Sequence, residues 1–239
     1  AKGEYLMFCD HDDTLEPDAL YEIVKAINDT DADVVYTDED KVSMDGQHYF
    51  DPNFKPDFNL FRLRENNYIC HIFVVRKSLT DETGMLRSEF DGAQDFDFIL
   101  RCCEKAKKIT HIPKVLYHWR CHMDSTAADP SSKAYAYEAG RKAIREHYQR
   151  MGIDAKVDMT ERPGWYRSHI KVQGNPMVSI IIPNKDHHTD LDLCLRAIET
   201  RATYRNVEFI IVENNSTEKE TVEYYEKIQT EFANVHVVT

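Results

Sequence analysis

Phe8-Cys9-Asp10-His11-Asp12-Asp13 crowds three carboxylates and an imidazole into the end of an apolar run. Carboxylates just past the C-terminal end of a strand sit where open α/β sheets bind ligands. Asp10 and Asp12, two residues apart, are spaced to grip a hard divalent cation and leave positions for diphosphate oxygens. Alone, such a cluster is weak, because acidic stretches are usually just solvated; Asp38-Glu39-Asp40 reads as one of those. An EF-hand is excluded, since Leu15 stands where that loop needs Gly and Tyr21 where it needs Glu.

The charge balance bears on what such a site would hold. With 30 Lys and Arg against 42 Asp and Glu, the net charge is −12. That argues against a nucleic-acid partner, which needs clustered cations. A phosphate-bearing substrate would instead need a bound Mn²⁺ or Mg²⁺ to draw it in. No apolar run approaches the ~18 residues of a membrane span. The six cysteines show no CxxC pairing and read as buried free thiols of a reducing compartment. No signal peptide precedes Ala1, and the chain enters a core strand at once, as a segment of a longer protein would.

Elements that must position the cluster alternate as in an α/β protein. Tyr5–Cys9 reads as a strand, and Pro17 opens a helix with Leu20, Ile23, Val24 and Ile27 on its inner face. Val34–Thr37 and Ile69–Val75 read as strands, with an irregular stretch Tyr49–Arg64 between them. A helix from about Gln94 to Lys107 turns Phe98, Ile99, Cys102, Cys103 and Ala106 inward. Ile109–Ile112 and Val115–Trp119 read as two strands around Pro113. Ser131 or Ser132 caps a helix reaching about Met151.

Beyond it, 152–176 reads as a linker that packs, with one strand at Trp165–Val172. A fresh strand–helix–strand–helix pattern starts at Met177. Leu191, Cys194, Leu195 and Ile198 face inward on its first helix, and Thr217-Glu218-Lys219-Glu220 matches a capping box. The expected organisation is therefore 1–151, a linker 152–176, and 177–239.

Two families share the acidic motif. Asp10-His11-Asp12-Asp13-Thr14-Leu15 is similar to the first motif of haloacid-dehalogenase-type phosphatases, with Asp10 as nucleophile, Asp12 as acid/base, and Asp91 and Asp95 in that family's DxxxD metal spacing. The wider pattern resembles the family 2 inverting glycosyltransferases of the GT-A fold. It is carried by Gly3-Glu4-Tyr5-Leu6, the aspartates as a DxD motif, Glu16-Pro17-Asp18-Ala19-Leu20, Ala32–Asp38, Phe54–Phe58, Gly92–Asp97 and Val115–Arg120. These ordered blocks span residues 1 to about 150, and the phosphatase reading leaves every block after Leu15 unexplained.

The resemblance implies Asp10 and Asp12 as metal ligands with His122 as a late third, His118 competing with it. It implies Asp95 as the base that deprotonates an acceptor hydroxyl; Gln94-Asp95 stands where the family commonly has Glu-Asp. Trp119 and Arg120 would border the donor diphosphate, to which Asp10 would also bind. Asp97 reads as an ordinary first-turn residue.

Met177–Asn184 resembles the opening strand of such a module, and Tyr204–Ser216 its second strand and nucleoside-contacting turn. Pro183, Asn184, Glu213 and Asn214 would meet the nucleoside, although Asn215 stands where the family has Gly. The expected fold is α/β, a GT-A-like mixed sheet flanked by helices with its halves in permuted order: the metal-binding half of one module, then the nucleoside-binding half of the next. The halves are expected to join in one sheet, in cis or by a swapped homodimer. The implied parent is a tandem transferase of cell-surface polysaccharide assembly, cytoplasmic and peripheral to the inner face of the plasma membrane. It would take a nucleotide-sugar donor and a glycan acceptor. A non-catalytic glycan-binding module is the remaining alternative.

Overall fold

A computed structural model describes residues 1–121 and 134–239. It divides into two compact units, Ala1–Lys171 and Val172–Thr239.

The first unit is built on a mixed sheet of β1 (Tyr5–Phe8), β2 (Thr14–Leu15), β3 (Val34–Val42), β4 (Tyr49–Asn53), β5 (Phe73–Arg76) and β6 (Ile109–Arg120). Its strand order is β1-β5-β3-β6-β2, with β4 added to the far end of β3. Only β3 and β6 run parallel. Both faces of the central strand are covered, so its first residues are all apolar or neutral and all buried. Alternation sends Val34 and Tyr36 into the core beneath α4 (Gln94–Lys105) and α5 (Ala134–Arg150). Val35 goes to the opposite core beneath α1 (Ala19–Thr30). Two short helices, α2 (Leu60–Leu63) and α3 (Lys77–Thr83), complete this part.

Several expectations change here. On α1 the buried residues are Ala19 and Ile23, with Ala26 and Ile27 packed against the same core, while Leu20 and Val24 are more than half exposed, because the inward stripe is rotated one residue from the expected one. The two strands expected around Pro113 are one. Between Ile112 and Val115 the pairing with β3 shifts, and this bulge takes up the missing proline N–H. The strand expected from Ile69 begins only at Phe73, and the stretch from Tyr49 contains a paired edge strand.

Asp38-Glu39-Asp40 is not a solvated loop but the middle of β3. Asp38 is 3% exposed, accepts the Lys55 backbone N–H at 2.8 Å, and meets His111 Nε2 at 2.8 Å. Glu39 pairs with Lys55 at 3.1 Å, and Asp40 with His118 Nδ1 at 2.6 Å. Carboxylates so far from water persist only when partnered, and each has its base.

Residues 152–171 belong to the first unit, through an antiparallel hairpin of β7 (Ala155–Met159) and β8 (Tyr166–Ile170). Val157 and Tyr166 enter the same core as α4 and α5.

The second unit alternates β9 (Val178–Asn184), α6 (His188–Arg201), β10 (Val207–Glu213), α7 (Lys219–Glu231) and β11 (Val235–Val238). Its parallel strands lie in the order β11-β10-β9. Leu191, Leu195, Phe209, Ile211, Tyr225 and Ile228 form its core, but Cys194 is exposed, not inward. These strands make a sheet of their own, with β10 flanked on both sides by its own neighbours. The single sheet expected across both halves is not formed by the strand pairing of the described residues. Nor is α7 capped by Thr217. The Asp186 carboxylate takes the backbone N–H groups of Thr217 and Glu218, each at 2.8 Å, and they hold it below its usual range. The cap of α5, expected at Ser131 or Ser132, lies outside the described residues.

Candidate active site

Sheet register explains how the acidic loop is held. Just after β1, the loop Asp10–Asp13 lies against the end of β6, where Thr14 pairs with His118. The buried Tyr117 hydroxyl donates to Asp13 Oδ2 and accepts the Asp10 backbone N–H at 3.2 Å. Burial, and then the bond to Asp13, push that phenol far above its ordinary range, so it stays a donor. Arg120 adds its backbone N–H to Asp13 Oδ1 at 2.8 Å and its Nε to the Asp12 carbonyl at 2.6 Å.

The potential ligand atoms of Asp10, Asp13 and His71 come within 4.8 Å of one another. His71 was not anticipated; its ring is stacked on Tyr117 at 4.8 Å between centroids, with 13° between the planes. The one signal it left was a polar residue interrupting the apolar run Ile69–Val75. Two carboxylates and an imidazole suit a divalent cation such as Mn²⁺. Asp12, expected as a ligand, is not among the three, and His122 lies outside the described residues. His118 is committed to Asp40 and, at 3.3 Å, to Glu16.

Asp95 opens α4, whose N-terminus favours an ionised carboxylate. It lines a cavity of about 120 Å³ together with Asp10, His71, Cys70 and Gln94. Asn67 donates its side-chain amide to Asp95 Oδ2 at 2.9 Å. Burial nevertheless dominates and raises the Asp95 carboxyl above its ordinary range, only partly offset by the Phe96 N–H, the nearby His71 and Asn67. The arrangement can accept a proton at Asp95 beside a cation-binding cluster.

Asp97 points elsewhere. It is fully buried, receiving Arg87 Nε and Arg101 Nε at 3.0 Å each. Asp91 is separated from Asp95 by the turn at Gly92 (φ +92°) and lines a different, outer cavity with Ser88 and Lys142. The phosphatase motif is thus split. Arg120 turns its guanidinium to the backbone carbonyls of Asp12, Ser43 and Met44, while Trp119 lies 6.2 Å from the His71 ring.

In the second unit, Asn184 and Glu213 end adjacent parallel strands, in register with each other. Asn184 Nδ2 donates to the Tyr225 hydroxyl at 2.7 Å, and the Asn214 N–H to the Asn184 carbonyl at 2.9 Å. Glu213 accepts the Ser216 N–H, which holds its carboxyl below the usual range. Asn215 adopts φ +56°, so the turn keeps its left-handed residue although Gly is missing. Pro183 is exposed beside it.

The chain is 43% identical over 242 residues to the uncharacterised protein y4gI of Sinorhizobium fredii, matching all of this chain and 26% of that protein. It is 37% identical over 221 residues to the O-antigen biosynthesis protein RfbC of Myxococcus xanthus, matching 92% of this chain and 17% of that one. The chain therefore spans only a fraction of these relatives' lengths. A solved structure of S. aureus TarS 1–349 in complex with UDP-GlcNAc aligns with 62% of this chain and 43% of that chain, at 20% identity and a TM-score of 0.45. Residues 1–84 match the model of glycosyl transferase family 2.

Proposed function

We propose that this chain is part of an inverting glycosyltransferase that moves a sugar from a nucleoside diphosphate to a glycan hydroxyl. The observation that carries the reading is one cavity lined by both Asp10 and His71 of the ligand cluster and by the raised carboxyl of Asp95. The acceptor oxygen bonds to the anomeric carbon as the bond to the diphosphate oxygen breaks. Asp95 takes the hydroxyl proton, and a single displacement inverts the centre. Asp10, Asp13 and His71 would hold the divalent cation, with Mn²⁺ favoured over Mg²⁺ by the imidazole. When bound, the cation supplies charge neutralisation at the leaving diphosphate.

Asn184, Glu213 and Asn214, at the ends of parallel strands, are assigned to a nucleoside. With the metal-binding half first, the chain reads as the end of one module and the start of the next. The O-antigen relative supports polysaccharide assembly as the setting. No described helix is long and apolar enough to cross a membrane. Calorimetry with UDP and the other nucleoside diphosphates, with and without Mn²⁺, tests the reading. Saturable binding that requires Mn²⁺ is expected; indifference to the metal would overturn it.

A further inference from the structure

We infer that a groove between the β7–β8 hairpin and the β3–β4 strands is a subsite for an acidic sugar, a pyranose bearing a carboxylate or phosphate group. The groove has a volume of about 440 Å³ and is lined by Trp119, Trp165, Tyr68, Arg62 and Arg162, among others. Two guanidiniums lie over the Trp165 ring, Arg62 Cζ at 4.2 Å and Arg162 Cζ at 4.6 Å from its centroid. Trp119 and Tyr68 offer aromatic surface to the C–H face of a sugar, and the guanidiniums stacked on Trp165 are held ready for two-pronged binding of an anion.

The acidic residues of the groove do not cancel these cations. Glu39 is paired with Lys55 and Asp51 with Lys41, which leaves Asp40, hydrogen-bonded to His118 Nδ1, against two arginines. Arg62 reaches Glu65 only at 3.9 Å, with both side chains well exposed. Arg162 has no carboxylate partner among the described residues. The surplus positive charge of the groove therefore sits at Trp165, in a chain whose net charge is −12.

The groove is joined to the Asp95 cavity by two links. Trp119 lines the groove and lies 6.2 Å from His71, which lines the cavity. Asn66 donates to the Gly164 carbonyl at 2.9 Å, next to the Asn67 that holds Asp95. A glycan anchored by its anion at Arg62 and Arg162 would thus lead toward Asp95. That acceptor role rests on the transferase reading above; the affinity for an acidic sugar does not.

Trp119 and Trp165 are the only two tryptophans, and both line the groove, so intrinsic fluorescence reports on it. The 239-residue chain would be titrated with a tetrasaccharide of alternating hexuronic acid and hexosamine, its carboxyl-reduced form, and a neutral tetrasaccharide carrying one phosphate monoester. Either charged probe should bind at least about tenfold more tightly than the reduced form, as charge-assisted hydrogen bonds imply. The tighter of the two identifies the anion. Arg162→Gln and Arg62→Gln should each abolish most of that preference with unchanged circular dichroism. Equal binding of the reduced probe, no fluorescence response, or a preference surviving both substitutions would overturn the subsite. Loss of Mn²⁺-dependent nucleotide binding alongside an intact groove response would sink the transferase reading alone.

Discussion

Asn67 donates its side-chain amide to Asp95 Oδ2 across 28 residues of sequence, onto a carboxylate that burial is pushing toward its neutral form. The proposed base is thus made stronger by loss of water and kept from complete neutralisation by a donor. Asp95→Asn keeps size and polarity while removing the proton acceptor. In the intact enzyme it should cut turnover by about 10²–10⁴-fold and spare Mn²⁺-dependent donor binding. A near-normal transfer rate would remove Asp95 from the role, and Asp97, locked between two arginines, would not be its replacement.

A raised carboxyl pKa also sets the acid limb of the rate profile. As the proposed base Asp95 would act only when ionised, so activity should fall as pH drops through its raised value, at higher pH than an ordinary aspartate would give. Asn67→Leu removes a bond that favours the ionised form and should move this limb to still higher pH. A profile unmoved by the substitution would make Asn67 merely structural.

The proposed metal site can be tested without turnover. Asp10→Ala and Asp13→Ala should each abolish measurable Mn²⁺ binding in calorimetry. Tyr117→Phe removes the hydroxyl that orients Asp13 and should weaken binding by about 10- to 100-fold, in line with the loss of other residues that orient metal ligands. Full affinity in Asp13→Ala would return the second carboxylate to Asp12.

Asp97 bears on stability instead. Burial would raise its carboxyl, but the hydrogen bonds and charges of Arg87 and Arg101 win, and its pKa is lowered. Its contribution is therefore complete above the unfolded value of about 3.9 and lost as pH falls through the lower folded value. Asp97→Ala strands two guanidiniums and should cost about 3–5 kcal/mol in urea unfolding near neutral pH. A cost under about 1 kcal/mol, the ordinary value of an exposed pair, would contradict the burial.

How far the sequence could be read depended on whether a residue's partners were local. Asp10 and Asp95 stood out because each sits at the end or start of a periodic element. His71 and Asn67 did not, because the segment before Phe73 follows neither period and its fold depends on contacts far along the chain. Asp38 and Asp40 looked like solvent-exposed charge because the histidines that meet them lie 73 and 78 residues further on. The hairpin was read in part, as one strand of its two. The pairing across it was hidden in 152–165, where turn residues and charges mask a two-residue period.

Tyr166 reaches over α5 to the Tyr137 carbonyl at 2.9 Å, and it passes Gly140 so closely that a Cβ there would overlap its hydroxyl and lie 3.0 Å from Cζ. By intrinsic helix preference, Gly140→Ala is a gain of about 1 kcal/mol. Here one methyl group would lever the hairpin off its seat, and Trp165, the next residue along, would travel with it. The width of the groove is therefore set by an absent side chain on a helix that no glycan would touch. Any lineage that fills position 140 has to shorten Tyr166 at the same time or surrender the wall it holds.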